Sequence, residues 1–223
     1  MQYRKIENAD EFLQQMVNSE HPKKYLQKVH ENDGVKCVLD GARAAIILPE
    51  GVADWDMSGA FIETDEKERP HITFSDIFSR DNYCYEVVIP KNQGEILLNS
   101  LDDYKMKPDA LVPEIIFINI KKMEFVTKSD AMKLREDAEE CIMAFSPKYL
   151  KDTLDFIVCS GCDDIQVLWN NKTVTSNAGK LGPLVMKSGR LYTAILPVCI
   201  DSYFEGKFWE VLCARNKHNQ SAW

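Results

Sequence analysis

One arrangement recurs three times along this chain of 223 residues: a short strand-like run, an amphipathic helix of about a dozen residues, and two or three further strand-like runs. The third copy is the clearest, because an apolar run over residues 140–145 leads directly into Ser146-Pro147. Serine followed by proline is typical of a helix N-cap with proline at the first helical position. Leu150 and Leu154 then lie on one apolar face of the predicted helix. Single helices between hairpin-joined strands predict an α+β fold with antiparallel sheets.

The other two copies follow the same order. In the first copy, a helix begins after Asn8 or Asp10 and ends at Pro22, and Asp33-Gly34 is a strong hairpin signal between two strands. In the second copy, a helix beginning near Lys91 stops before Pro108. The strands predicted over the whole chain cover residues 25–30, 35–39, 44–49, 71–74, 85–90, 114–120, 123–127, 140–145, 164–169, 173–176, 184–187 and 191–197.

The copies divide the chain into three segments. Residues 1–82 hold one partial copy and, from residue 50, an irregular connector that is rich in glycine and charge. Residues 83–200 hold two copies, and we expect their helices to pack side by side on antiparallel sheet. Residues 201–223 form a C-terminal extension outside the pattern, with aromatic side chains such as Phe204 and Trp209 that are suited to docking.

Composition excludes several classes of protein. The net charge of −8 argues against broad, nonspecific adhesion to nucleic acid, although lysines confined to one face could still contact DNA. No apolar run approaches the ~20 residues of a transmembrane helix, and the N-terminus lacks the apolar stretch of a secretory signal. Seven cysteines form an odd set, and most lie in apolar runs, which is typical of buried reduced thiols. We therefore expect a cytoplasmic protein.

The pair Cys159 and Cys162 is separated by two residues, a spacing used in zinc and redox sites. No second such pair is present to complete a zinc site, and this one follows a predicted helix instead of starting one. We therefore interpret the pair as part of a turn that ends the helix, with metal or redox chemistry as the alternative.

Catalytic motifs are missing from the sequence. It contains no Walker-type loop, GxGxxG, HExxH or GxSxG pattern, and its four histidines lie far apart. The acidic pairs at 54/56 and 163/164 are most simply solvated loop residues. We therefore predict a protein that is not an enzyme and has no cofactor or metal, with an unrecognised small-molecule enzyme as the alternative.

Four stretches together resemble the bacterial DNA sliding clamp, the β subunit of DNA polymerase III. They are residues 145–154 along the third helix, 194–198 with an apolar-Pro-apolar signature, 88–91 before the second helix, and the Asp-Gly-x-Arg turn within 38–44. The resemblance covers residues 83–200 and, more loosely, 1–50. The chain departs from the family in having room for fewer than two of its three domains, and in continuing for 23 residues beyond the terminal strand.

The resemblance implies a non-catalytic replication accessory protein that binds double-stranded DNA or tethers a DNA polymerase or other replication protein. A homo-oligomer is also implied, because a ring requires self-association. DNA would meet lysines on the helices, namely Lys91, Lys105, Lys148 and Lys151. The alternative is that these lysines are ordinary solubilising charge.

A partner-binding cleft is implied by the same resemblance. It would be formed by Gly41, Arg43, Ile195, Pro197 and Val198. The alternative is that Asp40-Gly41 is an ordinary turn and that residues 195–198 are an ordinary core strand, with no binding role for either. A protein-interaction module that keeps the clamp fold but no longer binds DNA is the rival function.

Overall fold

The computed structural model describes residues 9–17, 19, 21–64, 67, 71–102, 115–134, 137, 140–170 and 182–198. The predicted strand at 173–176, Lys105 and the extension 201–223 lie outside the described residues. The helices are α1 (Ala9–Met16), α2 (Ser75–Phe78), α3 (Lys91–Asp102), α4 (Lys128–Leu134) and α5 (Pro147–Val158). The strands are β1 (His30–Asn32), β2 (Val35–Leu39), β3 (Arg43–Ile47), β4 (Phe61–Glu63), β5 (His71–Thr73), β6 (Tyr85–Pro90), β7 (Ile116–Asn119), β8 (Glu124–Val126), β9 (Ile142–Phe145), β10 (Asp164–Trp169), β11 (Leu184–Ser188) and β12 (Leu191–Ile195).

A seven-stranded antiparallel sheet organises the described part of the chain, in the order β1-β2-β3-β12-β11-β10-β6. A smaller sheet has the order β8-β7-β9, and β4 pairs with β5. The predicted hairpin at Asp33-Gly34 is confirmed, since both residues adopt positive φ between paired Asn32 and Val35. The predicted α+β fold with antiparallel sheets is confirmed as well.

The central strands β11 and β12 are buried along their whole length. One face of the large sheet packs on α1, α3 and α5, while the other is covered by residues between 55 and 83. Because both faces are covered, these strands have no solvent side, and their sequences do not alternate between polar and apolar residues. Strands from both predicted segments, 1–82 and 83–200, share this sheet, because β3 pairs with β12.

Helices α3 and α5 pack side by side against antiparallel sheet, as predicted, and share one apolar core with side chains of both the large and the small sheet. Gly94 permits the close approach of α3 to β10, since a Cβ at that position would lie 2.7 Å from the Ile165 Cδ1 atom. Helix α5 starts at Pro147 as predicted, but the Ser146 side chain makes no capping hydrogen bond. Of the twelve residues of α5, only Lys148 is exposed.

Two local predictions need correction. The strand predicted over 25–30 is a 3-10 turn at Lys24–Leu26, and only His30 belongs to a strand. Neighbouring Tyr25 and Leu26 are both buried, which an alternating strand cannot achieve on one covered face. The connector is also more ordered than predicted, because His71–Thr73 pairs with a second strand at Phe61–Glu63.

Leu154 is 1% exposed and lies in the main core. We expect Leu154→Ala to lower the free energy of unfolding by about 2–5 kcal/mol, because truncation leaves a cavity among close-packed side chains. Urea denaturation followed by circular dichroism measures the change. Lys148→Ala, on the exposed side of the same helix, is the control and should change stability by under ~0.5 kcal/mol. An unchanged midpoint for Leu154→Ala would contradict the burial of this face.

Candidate functional site

The turn between β2 and β3 is built by Asp40 and Gly41. The Asp40 Oδ1 atom accepts the backbone N–H groups of Ala42 at 3.0 Å and Arg43 at 2.7 Å. Gly41 has a φ of +87°, a left-handed conformation that glycine adopts without steric cost. The turn therefore holds the start of β3, and with it Arg43, in a defined position.

Arg43 is an internal side chain, 5% exposed, and not part of an open cleft. Its guanidinium lies 2.7 Å from the Asp40 carboxylate and 2.6 Å from the Asp152 carboxylate on α5. The centroid of the Tyr149 ring lies 4.4 Å from the Arg43 guanidinium carbon. Burial alone would lower the pKa of Arg43, but the two carboxylates outweigh burial and raise that pKa. This cluster of Arg43, Asp40, Asp152 and Tyr149, called here the Arg43 cluster, fastens the β2–β3 turn to α5.

The terminal strand segment is also mostly internal. Ile195 faces Arg43 in the strand register, and the Leu196 N–H group donates to the Ala42 carbonyl at 2.9 Å. Pro197 is buried, and the half-buried Val198 donates its N–H group to the Ala144 carbonyl on β9 at 2.7 Å. The predicted cleft residues are thus brought together, but Ile195 and Pro197 serve as core and the segment bridges the two sheets.

The predicted DNA-contacting lysines fall into different environments. Lys151 is buried, with its Nζ atom 3.1 Å from the Asp155 carboxylate, so the prediction of a surface lysine at this position needs correction. Lys151 is buried because neighbouring elements cover α5 on nearly all sides. Lys148 is exposed, and the half-buried Lys91 lies 3.8 Å from the Glu95 carboxylate.

The outer face of α3 carries little positive charge. Its exposed side chains belong to Asn92, Glu95, Ile96, Asn99 and Ser100. Ile96 is 62% exposed, so an apolar side chain stands near the middle of this face. In the described part of the two long helices, Lys148 and the partly paired Lys91 are therefore the cations left near the surface.

A cavity of about 670 Å³ lies in the connector, in a region for which the sequence predicted no site. Its lining combines apolar surface with hydroxyl and charged groups, from Trp55, Met57, Ser58, Ala60, Phe61, His71, Thr73, Ser75, Ser79, Arg80 and Asp81. This volume lies within the range of ligand pockets in proteins. The one sequence signal for it was the occurrence of Trp55 and Phe61 in a polar, irregular segment.

The large sheet holds the wall of this cavity in place. Trp55 has a φ of +67°, which is uncommon for a bulky residue, and its backbone N–H group donates to the Tyr192 hydroxyl at 3.0 Å. The two rings also meet edge to face, with centroids 5.1 Å apart. Next to them, the Lys187 Nζ atom lies 3.0 Å from the Asp54 carboxylate. Side chains of β11 and β12 thus fasten the loop that presents Trp55.

The cysteine pair after α5 has no partner groups for metal binding within the described residues, where no group of three or more histidine, cysteine or acidic side chains is gathered. Cys159 is half-buried, and burial raises the pKa of its thiol to about 11. Cys162 is exposed, after the end of the helix. None of the described helices is long and apolar enough to span a bilayer.

No family model and no curated protein matches this sequence. Solved structures do match its fold, and they define the class: the chain has the fold of the bacterial DNA sliding clamp. The β chain of DNA polymerase III from Streptococcus pneumoniae superimposes with a TM-score of 0.53 at 11% identity, over 86% of this chain and 63% of that one.

Two further structures agree. The β subunit from Thermotoga maritima gives a TM-score of 0.50 at 14% identity, over 86% of this chain and 62% of that chain. The Helicobacter pylori β clamp, solved with a DNA ligase peptide, gives a TM-score of 0.50 at 11% identity, over 85% of this chain and 62% of that chain. The chain therefore spans less than two thirds of the length of the clamps it resembles.

The Arg43 cluster generates a stability prediction. Arg43→Ala leaves two largely buried carboxylates without their cation, and we expect it to lower the free energy of unfolding by about 3–5 kcal/mol. Urea denaturation measures the change. Lys36→Ala is the matched control, because it breaks a solvent-exposed ion pair with Asp10 and should cost under ~1 kcal/mol. Equal effects of the two substitutions would refute a structural role for Arg43.

The cysteine pair generates a reactivity prediction. Since the thiolate is the nucleophile, a pKa of about 11 leaves Cys159 almost wholly protonated at pH 8. We expect iodoacetamide to modify the exposed Cys162 well before Cys159, as followed by peptide mass spectrometry over time. Cys84, which is also exposed, serves as the internal reference. Faster modification of Cys159 than of Cys162 would contradict this prediction and favour redox chemistry at the pair.

Proposed function

We propose that this chain is a non-catalytic, sliding-clamp-like accessory protein of DNA replication that acts by binding a partner protein. The fold supports the clamp-like class. The observation that carries the partner-binding role is the scarcity of positive charge on the described helix layer. A protein that holds duplex DNA through this layer needs exposed cations, because phosphate neutralisation dominates such binding.

The environment of the lysines supports this choice. Lys151 is engaged with Asp155 inside the protein, and Lys91 has Glu95 beside it. The outer face of α3 offers amide, hydroxyl and apolar groups together with a carboxylate. Such a face suits contact with protein better than contact with a polyanion. The Helicobacter pylori clamp, which was solved with a DNA ligase peptide, is a protein of this fold with a peptide partner.

Direct DNA binding is the second candidate, and it rests on Lys148, Lys91 and Lys105, the last outside the described residues. It would require self-association if the chain is to encircle a duplex. Light scattering separates the candidates in part, since one copy has a mass of 25.6 kDa. A solution mass of two or three copies would favour the second candidate, whereas partner binding requires only one copy. A cytoplasmic location and the absence of catalysis remain predictions.

The proposal predicts an effect on the DNA polymerase encoded in the same genome. In primer extension on a primed single-stranded circle, with a trap that prevents rebinding, we expect the chain to lengthen the products of each binding event. Size-exclusion chromatography should show the two proteins eluting together. Unchanged product length, together with separate elution at ~10 µM, a concentration well above ordinary working affinities, would refute the proposal.

The proposal also predicts that the chain does not bind duplex DNA measurably, with or without the helix lysines. At ~50 mM salt, where the electrostatic contribution is strong, we expect no saturable anisotropy change with a labelled duplex below ~100 µM protein. Lys91→Glu combined with Lys148→Glu should leave this result unchanged. Micromolar binding whose salt slope falls by about two in the double variant would instead establish the second candidate, because each lysine bound to a phosphate adds about one to that slope.

A further inference from the structure

We propose that the cavity in the connector is the partner-binding site, and that it takes an extended peptide with one large apolar side chain flanked by lysine or arginine. This inference rests on the partner-binding function proposed above and gives it a location. The cleft residues implied by the sequence resemblance do not line this cavity; they are Gly41, Arg43, Ile195, Pro197 and Val198. The site is therefore separate from the one the sequence suggested.

The first argument is the main-chain direction of β5. The Phe74 N–H group donates to the Ala60 carbonyl at 3.0 Å, which makes Phe74 and Ala60 a hydrogen-bonded pair of the β4–β5 ladder. Hydrogen-bonded and non-bonded pairs alternate along an antiparallel ladder. His71 and Thr73 therefore turn their N–H and C=O groups away from β4.

The opposite strand agrees with this assignment. Phe61 pairs with Thr73, and its carbonyl accepts the Asn32 side-chain amide at 2.8 Å and contacts the Cys37 thiol at 3.5 Å. Phe61 thus directs its carbonyl away from β5, as a non-bonded pair requires. Among the described strands, β5 pairs with β4 alone, so its other side is an edge to which an extended peptide can add.

The second argument is the position of the cavity relative to this edge. Phe61, His71 and Thr73 lie on one face of the β4–β5 pair, and all three line the cavity. A peptide strand beside β5 would direct every second side chain toward this face. One of these side chains would meet Trp55 and Met57, which provide the apolar surface that an aromatic or aliphatic anchor requires.

The third argument is charge. Asp81 lines the cavity, while exposed Asp56 and Asp76 directly follow the lining residues Trp55 and Ser75 in the chain. The cation Arg80 lies 2.6 Å from the Glu86 carboxylate, so its charge is balanced locally. The whole chain carries a net charge of −8. This environment favours a peptide whose flanks are basic and disfavours an acidic one.

The cavity wall is held before any peptide binds. Trp55 keeps its left-handed backbone through the Tyr192 hydroxyl and ring, and Asp54 is held by Lys187. Uncommon backbone conformations that persist in folded proteins cluster at ligand clamps. A wall fixed in advance loses little conformational freedom on binding, which increases affinity for a short peptide.

The test uses a fluorescein-labelled peptide of nine residues: two lysines at each end, and a central tryptophan between pairs of threonines. Anisotropy titration of the full chain at low salt should give saturable binding below ~100 µM. Replacing the central tryptophan of the probe by alanine, or its lysines by glutamate, should weaken binding at least about tenfold. A probe that binds equally well after both replacements would overturn the stated chemistry, and so would a wild-type chain that does not bind the lysine-flanked probe.

Two variants locate the site. Thr73→Pro removes the outward-pointing N–H group of β5, and Asp81→Lys reverses a charge in the lining. Each should weaken probe binding by about tenfold or more, an effect typical of removing a hydrogen bond or a close charge pair. Asp163→Lys is the matched control, since it makes the same charge change on an exposed residue outside the cavity, and it should alter binding less than about twofold. Circular dichroism checks that each variant folds. If Thr73→Pro does not fold, Asp81→Lys alone decides whether the cavity is the binding site.

The outcomes separate this inference from the function it rests on. Probe binding that neither variant affects would overturn the site, and polymerase stimulation by wild type and Asp81→Lys alike would overturn it while leaving the accessory function standing. If the variants abolish probe binding, but the wild-type chain itself does not stimulate the polymerase, the site is supported and the role in replication is refuted. Loss of both probe binding and polymerase stimulation in Asp81→Lys supports both.

Discussion

The pairing of β3 with β12 is the interaction on which the rest of this structure depends. It joins the strands that follow α1 to the sheet formed by the later part of the chain, so that seven strands form one layer. Every other layer is placed relative to this junction: three helices on one face and the connector on the other. The Arg43 cluster lies at one end of the same pairing, where Arg43 faces Ile195 and reaches α5.

Two surfaces of different character result. On the helix side, α5 is enclosed and α3 presents a nearly neutral face with Ile96 at its middle. On the other side, the connector forms a walled cavity next to the edge of β5. Duplex binding would require the helix side to be strongly positive, which its described residues are not. The shape and chemistry of the connector side suit a peptide, and this contrast is the physical basis for preferring a protein partner.

Local patterns in the sequence predicted those parts whose structure is decided locally. The Ser-Pro start and apolar stripe of α5, the Asp33-Gly34 hairpin and the strand pattern each depend on a few neighbouring residues. The clamp fold itself was implied by the resemblance of four short stretches to that family. Burial of Lys151 could not be predicted in this way, because it depends on how many elements surround α5. Arg43 illustrates the same limit, since its partner Asp152 lies 109 residues away in sequence. The connector cavity was missed because its walls come from a segment without periodicity, fastened by Tyr192 and Lys187 from distant strands.

The distance along the chain between β3 and β12 has a kinetic consequence. The Thr193 hydroxyl donates to the Ala44 carbonyl across 149 residues of sequence, so the central junction closes only when nearly all of the described chain is synthesised. Interactions of such long range slow folding, because the entropy of closing the loop is given up before the interaction forms. During synthesis, β1–β3 emerge first with the β3 edge unpaired, and an unpaired apolar edge is open to association with other chains. The β3 edge of these three strands is covered only when β12, the last strand of the sheet, pairs with it.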